Sequence, residues 1–306
     1  MTDNNVPTIA ILFLPVLIGA VFLILFLGER VYPLRQPTRP LWGRLKVNAG
    51  VTAIAALINF SLVQTAAYFT IQWADQQSFG LVRWLPVSPL LGGAIAFLLL
   101  DLTFYYWHRA NHGIPFLWRF HNAHHIDPDL DVSTGFRFHF GEMIFSAGLR
   151  AAQVGLIGAS LGTYLLYELI YQSNTLFHHS NVHLPLEVER WIGKVLVTPR
   201  MHGIHHSQVR EETNSNYSVI FPWWDWLHQT LRLNVPQSAI TIGVPAYTDP
   251  EDNQLVHVFQ LPFQAQRDYW LEQGPYFTAR NPSTLGENPR KMESLREVTG
   301  AAQSFD

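Results

Sequence analysis

The feature that most limits what this chain can become is a succession of long runs without one charged side chain. Asn5 to Gly28 is one such run, Val47 to Ala74 a second, and a third begins at Trp84, reaches Asp101 and continues as LTFYYW into His108. The first two alone could each cross a hydrocarbon core of about 30 Å. Backbone buried in lipid must satisfy its own hydrogen bonds, which a helix does within one segment. The expected fold class is therefore all-α, an integral membrane helical bundle. Composition agrees: 48% of residues are hydrophobic and only 14% charged, against roughly 25% charged in an ordinary soluble domain.

The charges that flank these runs predict an orientation. Arg30, Arg35 and Arg39 follow the first run rather than precede it, so it reads as a retained anchor and not as a cleaved leader. The first linker holds those arginines with Arg44 and Lys46, whereas the second holds only Asp75 and Arg83. The positive-inside rule then places the N-terminus outside and brings His108 to the cytoplasmic face, under a histidine-rich cap. Met143 to Phe177 carries only Arg150 and Glu168 and is too long for one perpendicular span. Histidine groups lie on both sides of it. A helical hairpin is expected there, broken near Gly155, Gly158 or Gly162. Beyond Leu186 the chain turns polar, with one short helix expected near Gln264–Gln273 and a short C-terminal tail of disordered composition. The chain thus divides into three regions: a membrane-spanning region over 1–100, a histidine-cluster region over 101–235 and a polar extension over 236–306.

The chain has no cysteine, which excludes disulfides, zinc–thiolate sites and iron–sulfur clusters. A net charge of −3 offers nothing to a nucleic acid. Histidine is abundant, at 14 residues, and twelve of them lie between His108 and His206. His108 and His112 are four apart, as are His179 and His183, beside His178. His121, His124 and His125 form H-x-x-H-H, a pattern repeated at His202, His205 and His206, and His139 stands between the groups. On a helix, residues four apart share a face and can reach one ion. Imidazole suits iron, zinc, copper and nickel. So many nitrogens exceed the four to six positions of one ion, and two ions are expected.

The set HRANH, HNAHH, HFGE, HSNVH and HGIHH, with DLTFYYWHRANH before it and NYSVIFPWWDWLHQTL after it, resembles the membrane-bound fatty acid hydroxylase and sterol desaturase superfamily. The likeness is strongest over Asp101–Leu231. It implies two iron ions held by histidine, sometimes replaced by zinc on isolation. Dioxygen would be the co-substrate, and a lipid would be hydroxylated or desaturated. Carried over by position, the ligands would be His108, His112, His121, His124, His125, His139, His179, His183, His202, His205 and His206. Phe140 stands where the family often has proline after His139. His178 reads as a neighbour of the ligands, and His228 and His257 match nothing.

Metal-binding imidazoles are commonly oriented by carboxylates, for which Asp101, Glu142, Glu168, Asp127 and Asp131 are candidates. Asp101 stands out as an acid inside an apolar run. Tyr105, Tyr106, Trp107, Trp118, Trp223, Trp224 and Trp226 read as interfacial aromatics. No dinucleotide or phosphate-loop fingerprint is present, so electrons would come from a separate protein or a diffusible reductant. Two alternatives stay open: an ether-lipid monooxygenase of the alkylglycerol type, dependent on a pterin, and a membrane metal-binding protein without turnover. Zinc hydrolysis ranks last, because no H-E-x-x-H occurs.

Overall fold

A computed structural model of the chain describes residues 8–270. The expected tail lies outside them. The helices are α1 (Thr8–Val31), α2 (Leu41–Ile58), α3 (Gln64–Gln76), α4 (Leu81–Trp84), α5 (Pro89–Gly113), α6 (Pro115–His125), α7 (Phe140–Ile157) and α8 (Leu161–His179), followed by five short ones. These are α9 (Leu186–Ile192), α10 (Pro199–His205), α11 (Arg210–Thr213), α12 (Trp223–Leu227) and α13 (Leu255–Gln260). Among the described residues there is no strand, only the isolated bridges Pro33–Val182 and Ser207–Ile242. Three stretches are long and apolar enough to cross a membrane: Phe13–Val31, Leu41–Trp84 and Pro89–Gly113. They coincide with the three charge-free runs, and the molecule is a helical membrane protein.

The second stretch is a rod in which a π-helical turn, Asn59–Val63, joins α2 to α3. The widened turn shifts the phase of α3 relative to α2. Gln64, the first residue of α3, accepts from the Tyr164 hydroxyl at 2.9 Å and donates to Glu168 at 3.2 Å.

Between His139 and Ser180 the chain forms two helices, broken at Gly158. That residue has φ +77°, and a Cβ there would lie 3.0 Å from the Gly80 Cα, so the break needs glycine both for its backbone and for its neighbour. Ser160 caps the second arm, accepting from Thr163 N at 3.2 Å. Both arms pack against α5, α7 also against α3 and α8 against α1. Arg150 on one arm pairs with Glu168 on the other at 3.0 Å, with the rings of Phe104, Tyr164, Tyr167 and Tyr171 around the guanidinium. An ion pair among apolar helices needs further partners, which Gln153 gives Arg150 at 3.2 Å and Gln64 gives Glu168. The open ends of the two arms return to the end of the bundle that carries His108 and His112.

Residues 236–270 differ from the polar extension the sequence suggests. Val244, Tyr247, Val258, Leu261 and Trp270 are buried in a second core with Val51, Trp118, Ala123 and Ile126. The short helix is α13 rather than Gln264–Gln273, whose described part, residues 264–270, is irregular. Leu255 and Val258 have a partner that Gln264 and Gln266 lack: Leu255 seats on α2 at Gly50, where a Cβ would stand 2.8 Å away.

Candidate metal centre

Each histidine-bearing element has a local reason to start where it does. Ser88 caps α5 with Pro89 after it, Pro115 opens α6, and Thr198 with Pro199 opens α10, placements that reduce the number of unserved N-terminal donors. Nine histidines from α5, α6, α8 and α10 then converge in two groups. His108, His112, His121, His125 and His205 form one, and His124, His179, His202 and His206 the other, with ligand atoms within 4.8 Å of one another in each. The H-x-x-H-H motifs are split between them in opposite senses. In α6 the outer pair, His121 and His125, joins the first group while His124 joins the second. In α10 the outer pair, His202 and His206, joins the second while His205 joins the first. Residues four apart share a face and the residue between them is rotated off it, so one helical turn serves two adjacent centres.

The hydrogen bonds fix which nitrogen faces inward. The Nδ1–H of His108 donates to Tyr217 O at 2.7 Å, that of His179 to Thr175 O at 2.7 Å, that of His205 to Ser215 O at 2.7 Å and that of His124 to Arg137 O at 3.2 Å. With Nδ1 protonated, Nε2 carries a lone pair. Yet Nε2 of His124 and His179 stand 3.0 Å apart, His179 and His202 likewise 3.0 Å, and His202 and His206 3.1 Å. For His124 and His179, whose Nδ1 atoms both hold the proton, bare lone pairs at that distance repel unless a cation lies between them. The separations suit ligands around one ion with metal–nitrogen bonds of about 2.1 Å. In the first group Nε2 of His121, His125 and His205, and both nitrogens of His112, are buried without a hydrogen-bond partner. Such orphans are costly in a folded protein, and a metal would satisfy them. The donor set fits two ions.

Burial, reinforced by the neighbouring imidazoles, pushes protonation of His124, His125, His202, His205 and His206 well below its ordinary range. These rings are neutral, the form that binds metal. Trp118 lies over His112 and His125 at 4.8 and 5.2 Å between ring centres, and Phe138 stacks on His124 at 5.0 Å. Tyr217 closes the side toward His112 at 5.2 Å.

Two of the eleven expected ligands lie elsewhere. His139 caps α7: its Nδ1 accepts from Gly141 N at 3.0 Å, and its Nε2 meets Phe259 O at 3.1 Å. Extended just before the helix, it turns its ring back onto its own N-terminus. His183 is exposed beyond the end of α8, where its backbone N donates to Tyr32 O at 2.7 Å. His178 is buried beside His202, rings 4.1 Å apart, but enters neither group.

Of the candidate carboxylates only Glu142 touches a ligand histidine, His121 Nδ1 at 3.0 Å. Asp101 accepts instead from Trp224 Nε1 at 2.7 Å and Phe221 N at 3.2 Å, and Glu168 pairs with Arg150. Asp127 and Asp131 hold Arg44, at 2.8 and 2.7 Å. Burial opposes ionisation of Asp127, but Arg44 and Arg137 outweigh it and hold the acid at about 2. Asn48, Ser133 and Thr134 complete this network, which stiffens the loop that presents the Arg137 carbonyl to His124. Four imidazoles are thus oriented by main-chain carbonyls, which leave no trace in a sequence. Arg137 and Tyr217 were equally invisible as functional residues; their only signal is proximity to the histidine motifs.

This arrangement, helices of a membrane bundle that close around two histidine groups, defines a class. Residues 93–230, which hold all nine histidines, match the fatty acid hydroxylase family. Among curated relatives, the ornithine lipid hydroxylase OlsE of Rhizobium tropici is 31% identical over 64% of this chain and 57% of its own length. Human alkylglycerol monooxygenase is 25% identical over 85% of this chain and 57% of its own, and human cholesterol 25-hydroxylase 30% over 49% and 51%. The chain thus spans little more than half the length of these relatives. No solved structure matches it.

Proposed function

We propose that the protein is a membrane oxidoreductase that uses two iron ions and dioxygen to hydroxylate or desaturate a lipid. The observation that carries this reading is the pair of adjacent histidine groups: in one, buried Nε2 atoms without a partner converge, and in the other, Nε2 atoms crowd to 3.0 Å of one another. When bound, the ions supply the activation of dioxygen that attack on an unactivated C–H bond requires. The chain supplies the rest. Carbonyls of Arg137, Thr175, Ser215 and Tyr217 lock four rings, Glu142 holds a fifth, and Trp118, Phe138 and Tyr217 keep water out. Electrons come from a separate protein or a diffusible reductant. The positive-inside rule supports an N-terminus outside and a centre at the cytoplasmic boundary.

The relatives' names support lipid C–H oxidation. Matches to the alkylglycerol monooxygenases of human and Danio rerio extend over 85% and 86% of the chain, which favours ether-lipid cleavage as the second reading. Purified enzyme is expected to hold two irons and to consume oxygen only with a reductant and lipid. Product analysis with and without a tetrahydropterin separates the readings: oxidised acyl or sterol products without it support the first, pterin-dependent aldehyde release the second. His121→Ala and His205→Ala should each lose metal and activity together, and full occupancy in both would overturn the ligand assignment.

A further inference from the structure

Asp101 sits in α5, inside a membrane-crossing stretch, and orients no imidazole. Its carboxylate takes the backbone N–H of Phe221 and the indole N–H of Trp224, both from a segment C-terminal to the last metal-binding motif. Along α5, Asp101 lies seven residues before His108, about 10 Å away at the rise of a helix. Phe221 reaches further, to Phe97 at 6.1 Å between ring centres, a level about 16 Å from His108. Val219 and Ile220 are buried with Ala96, Leu100 and Tyr167. The chain therefore leaves the histidine centre at Ser215 and Tyr217, descends beside a membrane-crossing helix and returns by Leu231.

Non-helical backbone at such a level needs internal partners, and this segment has them. Asp225 accepts from Tyr217 N and Ser218 N, both at 2.8 Å, Asp101 serves Phe221 N, and Ile220 O accepts from Val197 N at 2.9 Å. Its outer side is apolar and uncovered: Trp226 is 66% and Leu227 60% exposed. The Trp223 indole donates to Lys194 O at 2.8 Å and joins this side to α9, where Trp191 is 69% exposed beneath the Lys194 ammonium. Leu90, Leu91 and Leu98 of α5, the helix against which Phe221 packs, are exposed as well, as on a membrane-crossing helix that meets lipid.

We propose that Tyr217–Leu231, with α9 beside it, is a membrane hook whose Trp191, Trp226 and Leu227 lie in the acyl and headgroup boundary of the bilayer. Asp101 and Asp225 are the acids that satisfy its backbone there. Tryptophan favours that boundary, and Lys194 keeps its charge toward water while its stem covers Trp191. The inference depends on the membrane fold and not on the reaction catalysed.

The absence of cysteine makes the test direct. Single variants Trp191→Cys, Trp226→Cys and Leu227→Cys carry an environment-sensitive fluorophore in phosphatidylcholine vesicles, with Leu98→Cys as the lipid control and Glu251→Cys, exposed outside the hook and the membrane stretches, as the aqueous one. Unchanged metal content and elution volume establish that each variant is folded. The hook predicts quenching by shallow doxyl lipids at least half that of Leu98→Cys, and little by aqueous iodide. Iodide quenching equal to that of Glu251→Cys overturns the proposal. Shielding from both quenchers overturns it as well, because the face is then covered by a second copy or another protein.

Discussion

A histidine becomes a candidate ligand through what its other nitrogen does. His205 gives Nδ1–H to Ser215 O and leaves a buried, bare Nε2, whereas His139 spends both nitrogens on Gly141 and Phe259. His139→Ala is accordingly expected to keep the metal content of the parent protein while it loses about 0.5–2 kcal/mol of stability as a lost helix cap. His205→Ala should do the reverse and lose metal first; metal analysis beside thermal melts separates them, and metal loss in His139→Ala would return it to the ligand set. Residues spaced at helical intervals inside helices were legible in the sequence, because spacing alone decides their face. His139 and His183 were not: each sits just outside a helix, where a spacing of four says nothing about direction. Asp101 was legible as an anomaly but not in its role, since its partners lie some 120 residues away.

At the level of elements, charge-free runs located the three membrane stretches, because lipid leaves the backbone so few options. The break at Gly158 falls among the three glycines the sequence offers, and packing against Gly80 selects it. The π-helical turn and α13 were not legible: one is a local change of phase and the other depends on a seat at Gly50. The loop from Ile126 to His139 shows most plainly how distant residues set local structure. Asp127 and Asp131 read as candidates to orient imidazoles, yet Arg44 from α2 draws both together with the Asp129 carbonyl at 2.8 Å. Arg44→Met would keep much of the side-chain volume and leave buried carboxylates without their cation. A loss of about 3–5 kcal/mol is expected, as for other broken buried ion pairs. A melting temperature within a degree or two of the parent would show that the network is not what holds this loop.

Across the whole molecule, the histidine groups are where α5, α6, α8 and α10 meet, the first two consecutive in the chain and the other two distant from them. Burial in lipid cannot substitute for that junction: the apolar cores lie along the membrane helices and under the C-terminal extension, while the junction itself is lined by polar nitrogens. Metal-free protein retains those unsatisfied nitrogens and lone pairs set 3.0 Å apart, so the apo state should be loosened at this end of the bundle while the membrane helices persist. A ligand held a thousandfold above its dissociation constant stabilises the native state by about 4 kcal/mol. At roughly 2–4 °C per kcal/mol for a domain of this size, stripping metal with a chelator is expected to lower the melting temperature by roughly 8–16 °C. Helical circular dichroism at low temperature should barely change, because α1, α2, α3 and the hairpin do not depend on the ions. Proteolysis should then cut first in the segments between α8 and α12, and re-addition of iron should restore both protection and melting temperature. A chelated protein that melts and resists protease like the parent would mean that the histidine junction closes without metal, and the two-ion reading would lose its structural basis.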